Sequence, residues 1–302
     1  MNIIHKVFSL IFLNPNRLML AILTCFANIL PDRLYLQIVF RLEMGYKLDL
    51  DNPQTFSEKL QWLKLYNRKP EYTTMVDKAA VKEYVAKIIG EEYIIPTLGV
   101  WDRFEDIDFD SLPNQFVLKT THGGGNTGVV ICKDKSSFDM ASAKAKLNKS
   151  LRSCIYRRYK EWPYKDVKHK IIAEEYITDS NGELNDYKFS TYNGEVTDVM
   201  ICLERNSGDT KFYFFDSNWN LLRYNKRGKD APTDFTIPKP ENMDKMFEIA
   251  AALSKNTPYL RVDLYNVDGK VYFGELTFFP QSGFDRNLLK DTEILFGSRI
   301  KI

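Results

Sequence analysis

Residues 117–133 read VLKTTHGGGNTGVVICK. Gly123, Gly125 and Gly128 satisfy G-x-G-x-x-G, a pattern that serves two different phosphate-binding architectures. In a dinucleotide-binding fold the glycines follow a strand and open a helix whose N-terminus faces the pyrophosphate. Here QFVLKTT before the glycines and GVVICKDK after them are both β-branched, apolar runs, so the loop is predicted to join two strands. The dinucleotide reading is therefore excluded. What remains is a glycine-rich hairpin, in which missing side chains and permissive φ angles let backbone N–H groups lie against phosphate oxygens. On the motif alone, an ordinary hairpin loop stays open beside it.

A lysine on the next strand, Lys133, imitates the ATP loop of a protein kinase. The chain has neither H-R-D nor D-F-G, so that reading lacks its catalytic base and its metal-binding aspartate. Composition narrows the class further. With 302 residues, 44% hydrophobic and 27% charged, the chain can bury a substantial core. Its formal charge of +2 gives no electrostatic argument for a nucleic-acid partner. Cys25, Cys132, Cys154 and Cys202 are scattered, with no C-x-x-C pair and only three histidines, which argues against structural zinc and for reduced thiols.

The first 48 residues read as a helical, apolar region. The runs VFSLIFL (7–13) and LMLAILTCFANIL (18–30) each fall short of the about 20 residues that span a bilayer. Three readings stay open: helices packed on the protein's own body, a monotopic membrane-surface anchor, and a cleaved signal. Beyond them, NPQTFSEKLQWLKLYNR carries a capping box in Thr55 and Glu58, followed by Leu60, Trp62, Leu63 and Leu65 on a predicted helix. MVDKAAVKEYVAKIIG reads as a second helix with Val81, Val85 and Ile88 on one stripe and Gly90 as its stop.

Downstream, KHKIIAEEYITD is a strand that brings Glu174 and Glu175 to its end. NDYKFSTYNGEVTDVMIC is a hairpin turning at Asn193-Gly194, with Asp186 and Lys188 on its first arm. PYLRVDLYNVDGKVYFGELTFFPQSG turns at Asp268-Gly269, and period-2 alternation puts Arg261 and Asp263 on one face and Glu275 and Thr277 together on the second arm. Two acids on paired strands suit a hard divalent cation; a surface salt bridge between Arg261 and the acids is the structural alternative. SCIYRRYKEWPYKDVKHK supplies a second basic and aromatic set, Arg157, Arg158, Lys160, Trp162 and Tyr164. It reads either as a solvated helix end or as a seat for a sugar phosphate or membrane-linked pyrophosphate.

Taken in order, these pieces resemble the ATP-grasp superfamily, and most closely the TupA-like proteins found with bacterial capsule and surface-polysaccharide genes. The resemblance covers roughly residues 48–290. It implies an α+β fold of two lobes clasping ATP behind a helical extension, divided as 1–48, 49–112, 113–173 and 174–302. It also implies Lys78 and Lys119 as nucleotide-phosphate lysines, with Gly123, Gly124 and Gly125 as the covering loop. Glu174, Glu175, Tyr176 and Ile177 would form the adenine-side hinge, and Lys188 would reach the phosphates. Asp263, Glu275 and Thr277 would be magnesium ligands, and Arg261 would face the acyl phosphate. Thr277 stands where many relatives have asparagine; Asn266, Gln281 and Ser282 are near enough to substitute. His122 is either a phosphate or substrate contact or an exposed turn histidine.

The chemistry so implied is ATP- and Mg2+-dependent joining of a carboxylate to an amine through an acyl phosphate. The partners would be a small carboxylate and amine or a glycan precursor, such as a uronic acid, in the cytoplasm or at the inner face of the membrane. A glycosyltransferase and a nucleotide-binding accessory protein without catalysis are the alternatives.

Overall fold

The computed structural model describes residues 15–125, 127–180, 182, 184–204 and 210–302; the run 7–13 lies outside them. Helices α1 (Pro15–Cys25) and α2 (Asp32–Met44) open the described chain, followed by α3 (Phe56–Tyr66), α4 (Glu71–Val76) and α5 (Ala80–Ile89). The predicted capping box forms at α3: the Thr55 hydroxyl accepts from Glu58 N, and the Glu58 side chain accepts from Thr55 N. Asp77 leaves helical backbone geometry between α4 and α5, and its carboxylate accepts from Ala79 N and Ala80 N. One expected position is displaced on α5. Val81 and Val85 are buried, whereas Ile88 is exposed and Ile89 packs against the core instead, because the inward stripe follows the 3.6-residue period.

Two antiparallel sheets carry the rest. The smaller one has the order β1-β4-β2-β3, built from β1 (Thr97–Trp101), β2 (Phe116–Thr120), β3 (Val129–Cys132) and β4 (Ile171–Glu175). One face, with Phe116, Leu118, Cys132, Ile171 and Ala173, packs against Ala143 and Leu147 of α6 (Met140–Leu151). Alternation along β2 leaves Lys119 on the opposite face.

The larger sheet has the order β10-β9-β5-β6-β7-β8. Its strands are β5 (Asp186–Tyr192), β6 (Glu195–Leu203), β7 (Lys211–Phe215), β8 (Leu221–Leu222), β9 (Leu260–Val267) and β10 (Lys270–Thr277). The two-residue turns Asn193-Gly194 and Asp268-Gly269 both have positive φ at both positions, the twist-matched geometry that Asn-Gly and Asp-Gly favour. Phe189, Val199, Leu260, Val262 and Leu264 meet Met246, Ile249 and Ala250, which lie on one later helix, in the main core. The short helices α7 (Ile155–Tyr159) and α8 (Lys226–Asp230) precede α9 (Met243–Leu253), and α10 (Lys290–Arg299) closes the chain against α3.

The boundaries expected at 112/113 and 173/174 do not coincide with structural ones. β4 runs through 173/174, and residues 49–112 divide between both cores. Met75, Val81 and Val85 join the large-sheet core, while Phe104, Ile107 and Leu112 join the small one. The cause is pairing at long range: β1 bonds to β4, some seventy residues later, rather than to a sequence neighbour.

The inner side of the N-terminal helices packs on the protein's own body, with Ala27, Tyr35, Leu36, Val39 and Phe40 around Phe284. Of the five residues singled out in the basic and aromatic stretch, Lys160 is buried and pairs with Asp32 at 2.9 Å, Trp162 and Tyr164 pack on the main core, and Arg157 and Arg158 stay exposed.

Candidate functional site

The glycine hairpin is rooted by hydrogen bonds from Thr120 N to Gly128 O and from Gly123 N to Thr120 O. Gly125 and Gly128 have φ of +55° and +71°. A Cβ on Gly123 would stand 2.5 Å from Thr120 Oγ1 and 2.7 Å from Thr127 O, and one on Gly128 would overlap the Thr120 and Ser150 hydroxyls. Those hydroxyls are 2.7 Å apart and lock the hairpin root to the end of α6. Gly124 and Gly125 lie exposed at the tip.

His122 is buried rather than an exposed turn residue. It is 1% exposed, stacks on His169 with ring centroids 3.6 Å apart, and has Nε2 3.1 Å from Ser150 O. Burial, with the neighbouring His169 and Lys78, pushes its pKa down to about 4. The neighbour that buries it lies 47 positions away in sequence, which no local pattern reveals.

Two lysines converge on the cleft-facing end of β4. Lys119 Nζ lies 2.5 Å from Glu174 Oε2, and Lys82 Nζ lies 2.6 Å from Glu174 Oε1. Burial raises the Glu174 carboxyl, but Lys119 and Lys82 outweigh it and hold the group below its ordinary value. Lys82 was not anticipated, although it stands four residues after Lys78 in the helix predicted from the sequence. Glu174 thus faces two lysines. Glu175 is exposed, and Tyr176 and Ile177 are half-buried in the link from β4 to β5.

On the larger sheet, cross-strand pairing assembles a second charged group. Lys188 lies opposite Asp263, Ser190 opposite Arg261, Glu275 opposite Asp263 and Thr277 opposite Arg261, so these residues share one face. The Arg261 guanidinium donates to both Asp263 oxygens at 2.6 and 2.7 Å, to Glu275 Oε1 at 3.4 Å and to Thr277 Oγ1 at 3.2 Å. Lys188 donates to Asp263 at 2.5 Å and pairs with Asp186 at 2.6 Å. Lys78, in the link between α4 and α5 and held by its N–H to Thr121 O just after β2, reaches Glu275 at 3.3 Å.

The salt bridge anticipated as an alternative therefore exists, but as a buried network: Asp263 is 1% exposed. Burial lowers and the Asp263 carboxylate raises the Arg261 pKa, and the carboxylate wins. Burial raises the Glu275 carboxyl, yet Lys78, Arg261 and Lys188 hold it well below the usual carboxylate range.

Three carboxylates, Asp186, Asp263 and Glu275, are thus matched by three cations, Lys78, Lys188 and Arg261. Among the described residues no group of three His, Cys, Asp or Glu side chains is gathered for a metal ion. Two carboxylates and the Thr277 hydroxyl are nevertheless the all-oxygen donor type that Mg2+ takes, since it usually binds through one or two carboxylates plus substrate phosphates.

A buried prop supports this hairpin from below. Gln281, Ser282 and Gly283 all have positive φ, at 49°, 55° and 72°, a conformation costing roughly 1–2 kcal/mol for each non-glycine residue. Lys64, fully buried on α3, donates to Ser282 O and Gln61 Oε1, and the Ser282 hydroxyl donates to Glu161 at 2.6 Å. Burial, opposed by Glu161, brings the Lys64 pKa down to about 7. Ser282 and Gln281 therefore serve this turn, and no sequence pattern marked Lys64 or Glu161.

Among solved structures, D-alanine–D-alanine ligase from Bacillus anthracis aligns at 20% identity over 73% of this chain and 61% of its own, with a TM-score of 0.42. N5-carboxyaminoimidazole synthetase from Staphylococcus aureus, complexed with ADP, aligns at 14% identity over 90% of this chain and 65% of its own, with a TM-score of 0.45. The ATP-grasp ligase PsnB, complexed with a precursor variant, Mg and ADP, aligns at 12% identity over 89% and 69%, with a TM-score of 0.43. In the first two, the chain spans less than two thirds of the other protein's length. No curated protein matches the sequence significantly. The family described as TupA-like ATPgrasp matches residues 58–301, which takes in both sheets and every charged group above, and the chain belongs to that family.

Proposed function

We propose that the protein is an ATP- and Mg2+-dependent ligase that joins a carboxylate to an amine, with a surface-polysaccharide component, such as a uronic acid, as one partner. The observation that carries this reading is that Lys78, tied by its N–H to Thr121 O after β2, reaches Glu275 in the buried group of Lys188, Arg261 and Asp263 on the large sheet, while Lys119 and Lys82 gather on Glu174 of the small sheet. Such a set suits phosphoryl transfer, where catalysis is chiefly positioning and charge neutralisation.

In this reading an oxygen of the carboxylate substrate bonds to the γ-phosphorus as the bond to the β,γ-bridging oxygen breaks, and ADP leaves. The amine then attacks the acyl carbon, phosphate departs with the bonding electrons, and the amine's proton passes to the surroundings. Lys78 and Lys119 would neutralise nucleotide phosphates, and Glu174 keeps Lys119 and Lys82 in place beforehand. Lys188 and Arg261 would stabilise charge on the transferred phosphoryl group and the tetrahedral centre. Asp263 and Glu275 would hold Mg2+, which supplies further neutralisation at the phosphates. The glycine hairpin would cover them and keep water from the mixed anhydride.

Calorimetric titration of the intact protein with MgATP, against UDP-sugars, tests this directly. Metal-dependent ATP binding that weakens at least about tenfold in Lys119→Ala, followed by ADP release with uronic acids and amines, supports the ligase. Binding of a UDP-sugar but not ATP makes it a glycosyltransferase, and ATP binding without turnover makes it an accessory protein.

A further inference from the structure

α1 is apolar on both sides, and only one side is covered. Leu20, Leu23 and Leu30 pack inward with Ala27. On the outward side Met19, Ile22 and Phe26 are half exposed and Ile29 is 75% exposed. Met19 and Ile22 share one face of α1, and Phe26 and Ile29 extend the exposed apolar surface into the turn after it. A helix apolar all round normally lies inside a core or a membrane, and leaving these four side chains in water forgoes burial that hydrophobic residues ordinarily find. No described helix is long and apolar enough to cross a bilayer, so the geometry available to it is lying in the surface plane.

Charge chooses the occupant. The first 31 residues contain no aspartate or glutamate, although the whole chain has 40, and their Lys and Arg residues are Lys6 and Arg17. A segment this apolar and free of carboxylates is attracted to anionic headgroups and repelled by none of its own side chains.

We propose that the outward apolar surface of α1 and the turn that follows it, Met19, Ile22, Phe26 and Ile29, docks into the interfacial region of a bilayer bearing anionic lipids. This surface is tied firmly to the cleft. Lys160 donates to Ala27 O at 2.5 Å and pairs with Asp32, while Tyr35 Oη donates to Arg158 O at 2.9 Å. The next residue, Glu161, accepts from Ser282 beneath the Arg261 hairpin. Docking therefore holds the cleft at a set orientation to the membrane. The inference does not rest on the ligase reading.

The test is flotation of the full chain with phosphatidylcholine–phosphatidylglycerol vesicles and with phosphatidylcholine alone, beside the double variant Ile22→Glu/Ile29→Glu. Co-flotation with anionic vesicles, weakened by salt and reduced at least about tenfold in the double variant, supports the proposal, provided the variant keeps its thermal midpoint. Three results overturn it: a chain that stays at the bottom of the gradient, a double variant that floats as well as the parent, and a parent that fails to float but is a dimer which the variant dissociates. The second would assign binding to residues 1–14, and the third would make the surface a seat for a second copy.

Discussion

The Lys119 ammonium on β2 lies 2.5 Å from the Glu174 carboxylate on β4, whose other oxygen is 2.6 Å from Lys82 on α5. One buried acid thus holds two cations. Removing it leaves two lysines, each less than a quarter exposed, facing one another. Glu174→Gln is expected to cost about 2–4 kcal/mol, discounted from a fully buried pair because both ammonium groups retain some water. Urea unfolding measures it, and a cost below about 1 kcal/mol would mean that the pair is not a structural brace.

Asp263 and Arg261 make a two-point contact inside the protein. Asp263→Asn keeps the shape but removes the charge that Arg261 and Lys188 share, and is expected to lower ADP release by at least about 100-fold while raising the Mg2+ concentration needed for half-maximal rate. Arg261→Met should cost a similar factor in turnover with MgATP affinity nearly unchanged. Equal loss of affinity in the arginine variant would move Arg261 from the transferred group to the nucleotide.

His122 makes the protein sensitive to acid. Its folded pKa of about 4 lies below the ordinary 6.5, so its contribution to stability is complete above pH 6.5 and is lost as pH falls toward 4. The loss amounts to about 2–3 kcal/mol. Unfolding His122→Gln and the parent at pH 7.5 and 4.5 tests this, with a flatter pH response expected in the variant.

Asp198 works in the opposite direction. It is fully buried, its Oδ1 lacks a hydrogen-bond partner, and Arg299 is 3.7 Å from the other oxygen. Burial pushes its pKa up to about 6, so the folded state is favoured below pH 3.8 and pays an increasing penalty as pH rises through 6. Asp198→Asn should stabilise the protein by about 2–3 kcal/mol at pH 7.5 and by about 1 kcal/mol or less at pH 4.5. Destabilisation at pH 7.5 would show that Arg299 depends on the carboxylate more than the geometry implies.

Strands β2 to β6, β9 and β10, the two positive-φ hairpin turns, the Thr55 capping box and the glycine loop between β2 and β3 were legible in the sequence, whereas β7 and β8 were not. Each is set by neighbours within a few residues, through side-chain period, turn chemistry and capping. The order of these pieces also carried the family. Tertiary structure alone decided which charges meet: Lys82 with Glu174, Lys64 with Ser282 and Glu161, and His122 against His169. It also buried Asp263 and put Ile88 in solvent. A charged or aromatic side chain looks the same in sequence whether solvent or a distant partner will surround it. Burial and pairing are settled by contacts across tens to hundreds of residues, where the desolvation of a charge must be offset by a specific opposite group.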